Sequence, residues 1–151
     1  MNTVSSKPPV TLLDVNVLIA LCDANHVHHA IAVEWFIGHA AQGWASCPLT
    51  QNGAIRIMSN PKYPNARPIG AVITQISQLC GTVHHHFWGD TISLIDTTVF
   101  KHTHLLGHNQ ITDAYLLALA VHRDGVFLTT DEGISIQPVM GAQKRHLEWL
   151  I

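Results

Sequence analysis

Three aspartates carry the chemistry this sequence offers. Asp14 directly follows the short apolar run Val10 to Leu13, and Asp131 comes just after a second run, Val126 to Thr129. Asp113 stands near the start of a stretch with helical apolar spacing, Ile111 to His122. Each acid has a local structural use. Asp14-Val15-Asn16 suits an Asx turn, Asp113 suits the positive end of a helix dipole, and Asp131-Glu132-Gly133 reads as a turn. Their convergence would mean more, because closely packed like charges repel and persist only beside a cation or a shared proton. Carboxylate oxygens are hard ligands that select Mg²⁺ or Mn²⁺ over zinc. An open site of this kind, completed by water and phosphate, suits phosphodiester hydrolysis. The metal lowers the pKa of a water and stabilises charge on the scissile phosphate, and no side-chain nucleophile is needed.

The elements that must position these acids are legible as alternating short strands and helices. Val10–Leu13, Trp44–Cys47, His86–Trp88, Ile92–Ile95, Val126–Thr129 and Leu147–Ile151 are the strand-like runs. Helical spacing covers Val17–Cys22, His29–Gln42 and Ile111–His122, and two further helices open at Pro48 and Pro68, since proline suits a helix's first turn. The segment Pro61–Pro68 is a breaker-rich loop. Strands alternating with helices predict an α/β fold, a three-layer α/β/α sandwich around a mainly parallel sheet. Asp14 and Asp131 then project from the carboxyl edge of that sheet, where such folds bind ligands. A right-handed crossover starts the Asp113 helix at the same edge.

The chain has 151 residues, the size of one domain. We read residues 1–151 as a single domain, with 1–9 as a flexible N-terminal segment. Charged residues make up only 12%, against about 25% in a typical domain, which predicts apolar surface covered by a partner chain. With 8 Lys+Arg against 10 Asp+Glu, the net charge of −2 excludes a strongly basic nucleic-acid-wrapping domain. A phosphate ligand must be held by a local basic patch or by metal. Lys62 and Arg67, in the proline-rich loop, are the favoured backbone-contacting cations, with Arg56 among the others available. The 12 His fall partly in clusters such as His84-His85-His86. Lacking cysteine partners or an HExxH pattern, these read as incidental surface groups rather than a zinc site. Three dispersed cysteines, no signal-peptide core and no long apolar run together predict a cytoplasmic chain with free thiols and no transmembrane helix.

Five segments together resemble the PIN-domain nucleases, specifically the VapC-type toxins of bacterial toxin–antitoxin pairs. They are Leu12-Leu13-Asp14-Val15-Asn16-Val17-Leu18-Ile19-Ala20-Leu21; Ala45-Ser46-Cys47-Pro48-Leu49-Thr50-Gln51-Asn52-Gly53; His86-Phe87-Trp88; Gly107 to Ala120, containing Asn109-Gln110-Ile111-Thr112-Asp113; and Leu128-Thr129-Thr130-Asp131. The resemblance implies a homodimeric, Mg²⁺- or Mn²⁺-dependent endoribonuclease blocked by a VapB-like antitoxin. Its metal ligands would be Asp14, Asp113 and Asp131, and its products would carry 5′-phosphate and 3′-hydroxyl ends. Thr129 matches a hydroxyl residue that orders the metal's water shell, and Asn16 is taken with it as a further group toward the metal. The family's fourth acid falls on Gln51, which keeps a carbonyl oxygen but no charge. That departure implies one tightly held ion, with Gln51 orienting water or a second ion that arrives with the RNA. The alternative is a PIN-fold module that binds RNA or antitoxin with weakened catalysis.

Overall fold

The structure is a computed structural model and describes residues 7–151. Residues 1–6 of the expected flexible segment 1–9 lie outside the described residues. Lys7, Pro8 and Pro9 are exposed and outside regular structure.

Among the described residues, five strands form one parallel sheet: β1 (Thr11–Leu13), β2 (Trp44–Ser46), β3 (His85–Phe87), β4 (Val126–Thr129) and β5 (Leu147–Trp149). Their order is β3-β2-β1-β4-β5. The chain therefore builds outward from β1 in one direction, then returns to place β4 on its other side. The carboxyl ends of β1 and β4 flank this reversal, the place where doubly wound sheets bind ligands.

Successive residues of each central strand face opposite layers, as strand geometry demands. Leu12, Ala45 and Phe127 join one buried cluster, while Leu13, Trp44 and Leu128 join the other. Four helices cover the second face: α1 (Val15–Cys22), α2 (His29–His39), α3 (Pro48–Met58) and α4 (Ile69–Cys80). The first face carries α5 (Ile111–His122). The expected three layers are present, with one helix opposing four.

The helix α5 is buried from Ala114 through Ala120 without a break. A helix apolar all round needs a second cover besides the sheet. Irregular chain supplies it: Ile92, Leu94 and Val99 on one segment and Ile134, Ile136 and Ala142 on another pack against the same cluster. This corrects the expectation of a strand at Ile92–Ile95, which stands outside the sheet. Ile92 and Leu94 serve burial against the α5 cluster while Ile95 stays exposed, and the chain then turns at Asp96, whose Oδ1 accepts from the Thr98 N–H at 2.9 Å. The two covering segments meet in an antiparallel bridge between Phe100 and Val139. Between α5 and β4, a Cβ on Gly125 would stand 2.5 Å from the Val10 carbonyl oxygen, so this close approach requires glycine.

Candidate active site at the carboxyl edge of the sheet

Asp14 is the first residue beyond β1 and the N-cap of α1. Its backbone N–H extends the β1–β4 ladder to the Leu128 carbonyl at 2.9 Å. Its side chain is buried, with Oδ1 accepting from the Val15 N–H at 2.7 Å and Oδ2 from the Thr129 hydroxyl at 2.7 Å. One side chain thus caps α1 through Oδ1 and binds the end of β4 through Oδ2. Thr129, at the end of β4, also accepts through Oγ1 from the Asp131 N–H at 3.1 Å. One buried hydroxyl therefore ties the Asp14 carboxylate to the backbone of the loop that carries Asp131. The Asp131 Oδ1 accepts from the Gly133 N–H at 2.8 Å, which fixes that turn.

Asp113 lies in the first turn of α5 and is partly buried. Neither Thr112 nor Asn109 caps that helix; Gln110 holds the cap position, without a side-chain capping bond. The Asp113 carboxyl is pushed up to about 6, first by burial and then by the charges of Asp14 and Asp131. Asp14 is raised in the same way, burial again leading, with the Thr129 and Val15 hydrogen bonds opposing and the Asp131 charge adding.

Asp14, Asp113 and Asp131 line one cavity of about 300 Å³, together with Asn16, Asn52 and Arg56. The α3 contribution follows from helical spacing. Leu49, Asn52, Gly53 and Arg56 share one face. A Cβ on Gly53 would lie 2.8 Å from the Val15 Cγ2, so glycine lets α3 press against the start of α1 and brings that face to the acids. Arg56 forms no ion pair among the described residues. It stands in the acid cavity as a cation available to a ligand.

Of the residues singled out from sequence, the structure brings Asp14, Asp113, Asp131, Asn16 and Thr129 together. It does not bring Gln51. Neighbouring helix residues point about 100° apart, and Gln51 turns toward α4. Its Nε2 donates to the Ser46 Oγ at 2.9 Å, and it lines a separate cavity with Ile55, Ile76 and Cys80. Asn52 occupies the cavity-facing position instead. Lys62 and Arg67, favoured from sequence for phosphate contact, do not line the acid cavity; Arg56 does. The spacing Asn52-Gly53-Arg56 held the signal for this face, with a small residue between two polar ones a turn apart.

No three His, Cys, Asp or Glu side chains among the described residues form a ready-made metal cage. The donor chemistry nonetheless fits a hard divalent cation, because carboxylates that raise one another's pKa gain from a positive charge between them. Mg²⁺ keeps several of its waters and needs only one or two direct carboxylates, which suits acids on separate walls of one cavity.

The chain is 46% identical over 139 residues to the ribonuclease VapC44 of Mycobacterium tuberculosis, spanning 92% of this chain and 98% of that protein. The chain belongs to the VapC ribonuclease family. It is also 41% identical over 126 residues to VapC38 of the same species, spanning 83% of this chain and 87% of that one. The crystal structure of M. tuberculosis VapC20, described as a sarcin–ricin loop cleaving toxin, matches with a TM-score of 0.57 at 11% identity. That match covers 76% of this chain and 84% of VapC20 and is a likeness of fold. No protein-family model matches the chain.

Proposed function

We propose that this VapC family member is a divalent-metal-dependent endoribonuclease acting as the toxin of a toxin–antitoxin pair. The observation that carries the reading is the Thr129 hydroxyl, which binds Asp14 and the Asp131 loop at the strand-order reversal, with Asp113 on the same cavity. Asp14, Asp113 and Asp131 would hold Mg²⁺ or Mn²⁺. Such an ion supplies charge stabilisation at the scissile phosphate and makes water a better nucleophile at neutral pH. The protein's own groups prepare the site. The Val15 N–H and the Thr129 hydroxyl each hold one oxygen of Asp14, so that carboxylate is oriented before any ligand binds. Asn16 and Asn52 add uncharged amides, and Arg56 adds the cavity's positive side chain.

The partners we propose are RNA as substrate, a VapB-like antitoxin, and a second copy of the chain. Exposed apolar residues support the last two: Ile37 on α2, and Ile69 and Ile73 on α4. No helix among the described residues is long and apolar enough to cross a membrane. The free thiols of Cys22, Cys47 and Cys80 fit the reducing cytoplasm we assign.

The test is cleavage of RNA by the purified protein with Mn²⁺ or Mg²⁺ and with chelator. We expect cutting with metal, none with chelator, and none by Asp14→Asn under either condition. Cleavage that survives both chelation and Asp14→Asn would overturn the reading. Co-expression with the adjacent reading frame tests the toxin assignment: relief of growth arrest supports it, and arrest with no relief by any neighbouring product opposes it.

A further inference from the structure

Asp113 and Asp131 are walls of two cavities. With Asp113 and Asp131, a second hollow of about 250 Å³ is lined by Asn109, Ala114, Ile134, Ser135 and Pro138, and Arg56 is not among its lining residues. The two hollows meet at the acids, so a strand whose phosphate sits at the carboxylates must send a neighbouring nucleotide into one arm or the other.

The arms differ in charge. The first contains Arg56 and suits a backbone phosphate. The second has no Lys or Arg in its lining among the described residues, and two carboxylates form its shared wall. A second phosphate placed there would face like charge with no local cation, so the arm suits a neutral group. Its chemistry is that of a flat surface with a polar rim. Ala114 and Pro138 are buried and Ile134 is partly buried, which gives apolar walls. Asn109 and Ser135 are exposed at the rim. The Asn109 amide, both donor and acceptor, has no hydrogen-bonding partner among the described residues. The Ser135 Oγ accepts from the Gln137 N–H at 3.1 Å and keeps its own proton to donate. Gln110 steadies this rim, its Oε1 accepting from the Leu106 N–H at 2.8 Å and the Gly107 N–H at 3.1 Å.

We infer that this second cavity is a nucleobase pocket, which reads the base next to the cleaved phosphate through the Asn109 amide and the Ser135 hydroxyl. Single-stranded RNA is recognised in this way, with bases splayed from the stack and hydrogen-bonded along their edges. The inference deepens the RNA-cleaving reading above and rests on it. It assigns sequence selectivity to residues that hold no metal.

The test uses the full chain, Mn²⁺ and a pool of short RNAs of randomised sequence, with the cut ends sequenced. The wild type should show a preference of about tenfold or more at one position flanking the cut, roughly the value of a single good hydrogen bond. Asn109→Ala should flatten that position alone and keep the pattern elsewhere. An unchanged profile, or uniform flattening, overturns the pocket. Because Asn109 is exposed and makes no contact that the fold needs, the variant should fold. If the wild type cuts nothing, the ribonuclease reading fails, and a binding arm still decides the pocket. Four RNA trinucleotides differing in one base are titrated onto Asp14→Asn protein by fluorescence anisotropy. A spread in affinity that collapses with Asn109→Ala upholds the pocket, and equal affinities overturn it.

Discussion

Removing one charge from the acid cavity should make the protein more stable and less active at once. The perturbation is Asp113→Asn, which keeps the side chain's shape while deleting its charge. In the folded chain the Asp113 carboxyl is displaced from the ordinary 3.8 to about 6, by burial first and by Asp14 and Asp131 second. An acid raised on folding adds stability in its protonated form. That contribution is complete below the unfolded value and is lost as pH rises through the folded one. At pH 7.5 the ionised group is therefore a burden. The displacement corresponds to ~3 kcal/mol at most, and solvent reaching the open cavity cuts this to about 1–2 kcal/mol. In chelator at pH 7.5, Asp113→Asn should gain that amount, or roughly 3–6 °C in Tm for a chain of this size. At pH 3.5 the gain should vanish, because wild-type Asp113 is then neutral. Mn²⁺ should stabilise the wild type and leave the variant nearly unmoved. Urea denaturation at the two pH values, with and without Mn²⁺, measures all of this. A variant no more stable than wild type at pH 7.5, or equally improved at both pH values, would refute the electrostatic argument.

Thr129→Val leaves the buried Asp14 Oδ2 without its hydroxyl donor; we expect a loss of about 1.5–3 kcal/mol and weaker Mn²⁺ binding by calorimetry, and unchanged values for both would show the tie to be idle. Arg56→Ala should weaken RNA binding and lower the salt slope by about one without weakening Mn²⁺ binding, since the lost charge repels the ion. Tyr63 donates its hydroxyl to Asp23, which Asn65 and the Asn25 N–H also hold. Burial alone would raise Asp23, yet these bonds keep it below its ordinary value, while Tyr63 is pushed up to about 12 by burial and by Asp23. A lowered acid gives stability that is present above about pH 4 and lost as pH falls through its folded value. Tyr63→Phe should thus cost about 1–2 kcal/mol at pH 7, and the cost should shrink as pH falls through the folded value of Asp23, measured by thermal melts across an acid pH series.

The sequence made the sheet readable because its strands are short, apolar and followed by chemistry. Leu12-Leu13-Asp14 and Leu128-Thr129-Thr130-Asp131 place strand, edge and acid within a few residues, so the position of the acid cavity at the sheet's carboxyl edge is legible without coordinates. Two kinds of feature were hidden. One is rotation about a helix: Gln51 and Asn52 are adjacent, and only the packing of Gly53 on Val15 settles which of them faces the acids. The other is burial without regular hydrogen bonding. Ile92 and Leu94 give their segment a strand's alternation because they cover α5, and the target of that cover lies about twenty positions further along the chain. Arg56 was one cation among several in sequence; its position on the Gly53 face distinguishes it from Lys62 and Arg67.

The irregular coat over α5 does double service. The same loop that hides the helix, at Ile134 and Pro138, forms the far hollow beside the acids. Loops held by greasy contacts instead of strand pairing have no register to slip, so an exchange at an exposed position there, such as Ser135, need not disturb the scaffold. If the far hollow reads a base as inferred, a lineage could retune which RNAs it severs by editing this rim, while the helix beneath and its aspartate stay as they are.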